Sequence, residues 1–237
     1  MRKLVGTADL HIHTRYSDGR PTVRAVLDHV ARRTELRIIA ITDHDTIEGA
    51  LEARTLQDRY PFEIIVGEEV SSQEGHILAL FLDQCVPPGL SAAETISAIH
   101  QQGGLAIAAH PFITTLTVGS QPVAMQGVGK LIGSLPFDGV EIDNSTPLMG
   151  WANRRARAYN RRMQRLPEIG NSDAHIVEAI GKSFTRFPGV TAADLRHAIA
   201  CGRSAARRKR YDLRELVAYG QFWVESTRPS KVSTAID

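Results

Sequence analysis

TADLHIHTRYSDG, residues 7–19, closes a short apolar run with two imidazoles one residue apart, His11 and His13, followed by a turn that carries Asp18. A His-x-His pair after a strand can be a pair of metal ligands. Alone it is ordinary turn polarity; its meaning depends on whether other strands end in the same way.

Working outward, the chain alternates short apolar runs with amphipathic stretches almost from end to end. LRIIAIT (36–42), FEIIVG (62–67), HILALFL (76–82), LAIAAH (105–110), FDGVEID (137–143) and LPEIGN (166–171) read as strands buried on both faces. Val23, Val26, Leu27, Val30 and Ala31 repeat at helical spacing, and Pro21 suits a first helical turn. Residues 46–60, 91–102, 147–165 and 191–201 also read as helices, the third of them rich in arginine. Such alternation predicts a mostly parallel sheet covered by helices, and six or more units favour a TIM-like α/β barrel over an open sheet.

Composition sets the outer limits. With 237 residues and 43% hydrophobic content, the chain can bury one substantial core, and a formal charge of +2 gives no general affinity for nucleic acid. Cys85 and Cys201 are far apart and form no ligand-like pair, which suits a reducing, cytoplasmic setting. The basic start MRKLVGTADLHIH is broken too early by Asp9 for a signal peptide, and no run reaches the ~20 apolar residues of a membrane span. One domain over 1–225 is expected, with 226–237 as a flexible tail; 114–129 reads as loop. Nothing names an oligomeric state.

The strand ends carry the chemistry. After His11 and His13, the second strand runs into Asp43-His44-Asp45, the third into Glu68-Glu69, and His76 opens the next run. LAIAAH ends at His110 before Pro111, and LPEIGN delivers Asp173 and His175. In a β/α barrel the strand ends converge on one face. Six of nine histidines lie at these places; His29, His100 and His197 fall inside helices and read as surface or packing residues. Mixed imidazole and carboxylate at five converging ends points to a divalent metal site of the zinc, manganese or iron type, rather than a thiolate or all-oxygen one. No nucleophilic Ser/His or Cys/His pattern competes with it.

DLHIHTRYSDG (9–19), ITDHDT (41–46), GEEVSS (67–72), EGHILAL (74–80), AAHPF (108–112) and NSDAH (171–175), in this order, resemble the motifs of the polymerase-and-histidinol-phosphatase (PHP) superfamily, and in particular its stand-alone bacterial phosphoesterases. The similarity runs from about residue 8 to about residue 190. It implies a distorted (β/α)7 TIM-like barrel holding two to three divalent ions (Mn, Fe or Zn). His11, His13, Glu69 and Asp173 would bind the first ion, Glu69 would bridge to a second held by His76 and His110, and Asp18, His44 and His175 would hold a third. The family pattern Gly-x-Glu selects Glu69 over Glu68, and Asp18 stands where some members carry histidine. Asp9, Asp43 and Asp45 are expected to orient imidazoles by accepting their other N–H.

The implied chemistry is hydrolysis of a phosphate ester by metal-activated water, with Glu69, Asp173 and His175 as catalytic residues and His175 or Asp173 passing a proton to the leaving oxygen. Arg15 and Lys182 are candidates for gripping phosphate, and the basic segments 154–162 and 207–210 would extend a path for a phosphate chain. The expected partner is a small phosphorylated molecule, a nucleotide or a short single-stranded nucleic-acid end, with no membrane. Two other readings stay open: a metal-dependent hydrolase of C–N or C–O bonds, and a non-catalytic metal-binding module.

Overall fold

The computed structural model describes residues 4–114, 116–118, 121–123, 126–163 and 165–226. Its strands are β1 (Val5–Asp9), β2 (Ile38–Ile41), β3 (Glu63–Ser72), β4 (Gly75–Leu80), β5 (Leu105–Ala108), β6 (Leu116–Val118), β7 (Gln121–Val123), β8 (Gly139–Asn144), β9 (Glu168–Asn171), β10 (Ser183–Pro188) and β11 (Ala205–Arg208). The helices are α1 (Val23–Arg33), α2 (Glu48–Thr55), α3 (Ala92–Gln101), α4 (Gly150–Arg162), α5 (Ala192–Ala200) and α6 (Leu213–Ser226).

Nine strands form one sheet in the order β11-β10-β1-β2-β3-β4-β5-β8-β9. It curls back on itself: a parallel bridge joins Ile12, beyond β1, to Ala174, beyond β9, and Leu10 N–H donates to the Asn171 side chain at 2.9 Å. The result is a nearly closed α/β barrel, with β10 and β11 added in antiparallel fashion outside β1.

The sheet is less parallel than the sequence suggests. Among the described residues it has four parallel pairings (β1–β2, β2–β3, β5–β8, β8–β9) and four antiparallel ones. Two of the antiparallel pairings come from β10 and β11 outside β1, and the other two from the β3–β4 hairpin, closed by Ser72–Gly75, which replaces a helical crossover and reverses β4. That reversal explains why His76 opens its strand while the other polar residues close theirs: the start of β4 lies at the mouth. Gly75, at φ +146°, makes the turn possible, and a Cβ there would meet the Gly127 backbone at 2.5 Å.

The expected helices form, with shorter ends. α1 starts two residues after Pro21, which lies outside the helix, because Thr22 caps it by accepting from Ala25 N–H; Val23, Val26, Leu27 and Val30 are buried, while Ala31 faces out. Residues 46–60 divide into α2 and a 3-10 turn at Gln57–Arg59. α3 and α5 start with capping boxes, Ser91/Glu94 and Thr191/Asp194.

Several described elements escape the sequence reading. In β10, buried Ser183, Thr185 and Phe187 alternate with more exposed residues, so two of its inward residues are polar; β11 is AARR, without an apolar run. α6 carries the chain to Ser226, the first residue of the expected tail, and the rest of that stretch, 227–237, lies outside the described residues. Within the expected loop 114–129, β6 and β7 pair as a small antiparallel hairpin.

Side chains alternate between two apolar clusters. Ala8, Leu10, Ile38, Ala40, Ile65, Leu78, Leu80, Ile107 and Ile169 pack together with α5, while Ile39, Ile41, Ile64, Val66, Ile77, Ala79, Ala106 and Ala108 pack against α1, α2 and α3. This double burial produces the near-continuous apolar runs in the sequence. Among the described residues no helix is long and apolar enough to cross a membrane.

Candidate metal centre

All nine residues expected as ligands are brought to the strand ends on one face. Glu69, the seventh residue of β3, sits at the middle. Its Oε2 lies 3.0 Å from His11 Nε2, 3.3 Å from His13 Nε2 and 3.4 Å from His44 Nδ1. Its Oε1 lies 3.0 Å from both His76 Nδ1 and His110 Nε2. Asp173 Oδ1 is 3.2 Å from His13 Nε2 and 3.4 Å from His11 Nε2. Nearer solvent, Asp18 approaches His175 at 3.2 Å, His13 at 3.7 Å and His44 at 3.8 Å.

Alternation places Glu69 here and sends Glu68 away. Glu68 accepts from Val86 N–H at 2.9 Å and lies 3.1 Å from the Cys85 thiol, and burial pushes its carboxyl above the usual range. Two ligand positions need more than alternation. His110 has φ +25° and Asp173 φ +54°, left-handed conformations uncommon for residues with a Cβ. The bend at His110 swings its ring inward, although Ala108, two residues earlier, faces the outer cluster.

Four groups of side chains have potential ligand atoms within 4.8 Å of one another: His11/His13/Asp173, His11/Glu69/His110, His44/Glu69/His76 and His13/Asp18/His44/His175. These overlap the expected division and differ from it in detail, since His44 also faces Glu69 and His13 also faces Asp18. Both nitrogens of His13, and Nδ1 of His76 and of His110, are buried without a hydrogen-bond partner. Buried imidazole nitrogens beside carboxylate oxygens, close but not aligned for hydrogen bonds, fit a shared cation better than a proton network.

Electrostatics agree with that fit. Burial pulls the imidazoles toward neutrality, but Glu69 and Asp173 outweigh it at His11, held well above its ordinary value, and at His13, raised to about 10. Burial wins at His44, lowered to about 4. Burial also opposes ionisation of Glu69 and Asp173, yet His11 and its neighbours hold both carboxyls well below the carboxylate range. A site that concentrates this much negative charge on imidazoles would exchange protons for divalent cations.

The supporting residues differ from expectation. Asp9, Asp43 and Asp45 hold backbone rather than imidazoles. Asp9 accepts from Ser172 and Gly181 N–H (2.9 and 2.8 Å), Asp43 from Thr14 N–H and Oγ–H (2.6 and 2.7 Å), and Asp45 from Ser71 N–H (2.7 Å). They fix the loops that carry the ligands. The carboxylate that does meet an imidazole is Glu141, 3.1 Å from His11 Nδ1. The sequence did hold a signal for it: a lone carboxylate between Val140 and Ile142, in a strand read as buried on both faces. Asn144 and Thr146 hold the far oxygen of Asp173, at 2.9 and 3.2 Å.

The phosphate-gripping candidates fare less well. Arg15 stays exposed in the loop after His13, its Nε donated to the Arg20 carbonyl at 2.9 Å. Lys182 is not brought to the centre. Its ammonium pairs with Glu215 and lies over the Tyr211 ring, facing a cavity of about 420 Å³ whose lining includes none of the nine residues. Within the basic segments, Arg157 and Arg208 clamp Asp143, each at 3.2 Å. α6 supplies what the sequence did not reveal: Phe222 lies 5.7 Å from the His175 ring, and Arg20 pairs with Glu225.

Comparison with known proteins agrees with this picture. The PHP-associated family model matches residues 150–204. An uncharacterised protein of Methanocaldococcus jannaschii is 38% identical over 172 residues, covering 68% of this chain and 94% of that protein. The phosphoribosyl 1,2-cyclic phosphate 1,2-diphosphodiesterase of Eggerthella lenta is 38% identical over 85 residues, about a third of each (33% of this chain and 32% of that enzyme). A crystal structure of a two-domain Bacteroides vulgatus protein, described as containing a predicted PHP-like metal-dependent phosphoesterase, shares the fold. Its TM-score is 0.64 at 20% identity, over 92% of this chain and 70% of that one. With the motifs in order, the barrel built as described and the ligand-type residues gathered at its mouth, the chain belongs to the PHP superfamily.

Proposed function

We propose that this chain is a metal-dependent phosphoesterase that hydrolyses a phosphate ester of a small molecule, a nucleotide or the end of a short single strand. The observation that carries the reading is Glu69: one buried carboxylate whose two oxygens face five imidazoles, three on one side and two on the other. A purely structural ion needs one closed shell of about four ligands. Nine converging residues with a carboxylate shared between groups suit a multinuclear hydrolytic site.

In this reading His11, His13, Asp173 and Glu69 hold one divalent ion, Glu69, His76 and His110 a second, and Asp18, His44 and His175 a third. Mn, Fe or Zn bound there would supply Lewis acidity toward water and phosphate oxygens. The chain's own groups do the rest. Asn144 and Thr146 keep Asp173 aimed at His11 and His13. His175, at the mouth, has Nδ1 3.0 Å from the Asp173 carbonyl and Nε2 3.2 Å from Asp18; the carbonyl keeps the proton on Nδ1 and would leave the Nε2 lone pair for the third ion. The ester P–O bond breaks, the water oxygen stays on phosphorus, and the proton leaves with the alcohol.

The mouth, bordered by loop 14–20 and by α6 at Phe222, suits a terminal phosphate or a flexible strand better than a stacked duplex. The near-neutral charge of the chain also withholds the long-range attraction that duplex binders use. Elemental analysis of protein purified without chelator should find about two to three equivalents of Mn, Fe or Zn. The loaded protein should turn over nucleotides, nucleoside bisphosphates or short single strands while leaving supercoiled plasmid intact. Less than about one equivalent with no activation by Mn²⁺ would overturn the metal reading. Plasmid nicking at rates comparable to small-substrate turnover would overturn the substrate reading.

A further inference from the structure

We infer that Glu141 is a positioning residue that fixes which nitrogen of His11 faces the metal centre; the inference rests on the metal reading above. Glu141 lies on β8, wholly buried, and both of its oxygens are fully engaged. Oε1 is 3.1 Å from His11 Nδ1 and accepts from Asn171 Nδ2 at 3.0 Å. Oε2 accepts from the His110 backbone N–H at 2.8 Å and from Asn144 Nδ2 at 3.0 Å.

Three of these four partners can only donate. The His110 N–H is backbone. Asn171 is locked because its Oδ1 accepts from Leu10 N–H at 2.9 Å, and Asn144 because its Oδ1 accepts from Thr146 N–H at 2.9 Å. A buried carboxylate surrounded by fixed donors keeps both oxygens as acceptors, so the partner on His11 Nδ1 must be N–H. His11 Nε2, turned toward Glu69 and Asp173, is then the nitrogen left to ligate. The same carboxylate ties the strained His110 backbone to His11, so ligands following β1 and β5 are set by one group on β8.

Glutamine has nearly the same shape and cannot do this. With its NH2 on the Oε2 side, it confronts His110 N–H and the Asn144 amide, both donors. On the Oε1 side it confronts the Asn171 amide, and His11 can accept from it only by moving its own proton to Nε2, which removes the ligating lone pair.

The test uses the full chain loaded with Zn²⁺, which is diamagnetic, and ¹⁵N-labelled histidine, with His11 assigned by comparison with His11→Gln. In the wild-type spectrum His11 should carry its proton on Nδ1 and bind zinc through Nε2. Glu141→Gln should lower zinc affinity, measured by competition with a chelator, by about 10- to 100-fold and change the His11 pattern. Glu141→Asp, which keeps both acceptor oxygens, should recover part of that loss. Zinc bound through His11 Nδ1 in the wild type would overturn the inference, and that observation stands even if Glu141→Gln fails to fold. So would a Glu141→Gln protein that binds zinc within about threefold of wild type. A wild-type chain that takes up no zinc, Mn or Fe at all would instead overturn the metal reading, and this inference with it.

Discussion

Leu10 and His11 are neighbours in the chain and both fully excluded from water, yet they belong to two different interiors. Leu10 joins Ile38, Leu78, Leu80, Ile107 and Ile169 in the apolar filling of the barrel. His11 joins Glu69, Glu141 and Asp173 at its mouth, and these are as deeply buried. The filling is held by contact alone, so side chains of similar volume can substitute for one another at modest cost. In the mouth each buried polar atom needs its own partner, and a wrong one leaves a charge stranded. At that polar end of the strands Asp45, His110 and Asp173 adopt left-handed backbone, as Phe81, Leu148 and Arg165 do elsewhere, and hydrogen bonds from neighbouring elements hold it there. The barrel filling supplies stability, and the mouth depends on it to stay in place.

The sharpest attempt to break this division is at Glu69. Glu69→Gln should cut phosphoesterase activity by on the order of a thousandfold or more and lower the bound metal, while circular dichroism still reports the fold. The opposite signature is expected of Leu80→Ala in the filling, which should lose about 2–5 kcal/mol of stability in denaturant titration. Its metal stoichiometry per folded molecule should stay at the wild-type value; a coupled loss would mean that the two interiors are not separable.

A third measurement uses pH on metal-free protein. Glu69 and Asp173 sit well below their ordinary values, so their contribution to stability holds above about pH 4.5 and is lost as pH falls. His13, raised to about 10, contributes fully below about pH 6 and loses its contribution as pH rises through 10. In chelator, Tm should therefore peak near pH 5–6, and adding a divalent ion should move the maximum upward, because ligation needs neutral imidazoles. A chelated protein whose Tm climbs steadily from pH 6 to 9 would contradict the charge arrangement.

Smaller effects sharpen the comparison from outside the mouth. Glu68→Gln, one residue from Glu69 but turned to Cys85 and Val86, should change activity by less than about tenfold. Smallest of all, Lys182→Ala should leave KM within about twofold, since its ammonium pairs with Glu215 away from the centre. A large rise in KM would restore Lys182 as a phosphate contact.

Much of this protein was legible in one dimension. Strands buried on both faces write themselves as unbroken apolar runs, and polar residues at the ends of such runs have few places to go except a shared face. That logic located the barrel and assembled His11, His13, Asp18, His44, Glu69, His76, His110, Asp173 and His175 at one mouth. The choice of Glu69 over Glu68 came from the family pattern Gly-x-Glu, and alternation along β3 is what turns the two carboxylates to opposite faces. Tertiary structure decided what depends on partners far away in sequence. The direction of β4 follows from a hairpin whose flanking strands look like any other apolar runs. Asp9, Asp43 and Asp45 sit beside histidines in sequence but reach backbone of other loops, while Glu141, 130 residues from His11, reaches the ring. Lys182 left the centre for Glu215 of a helix the pattern had not revealed. Hydrophobic periodicity is a local property that each segment carries by itself, whereas a hydrogen-bond or charge partner is fixed only once the barrel has closed and brought distant strand ends together.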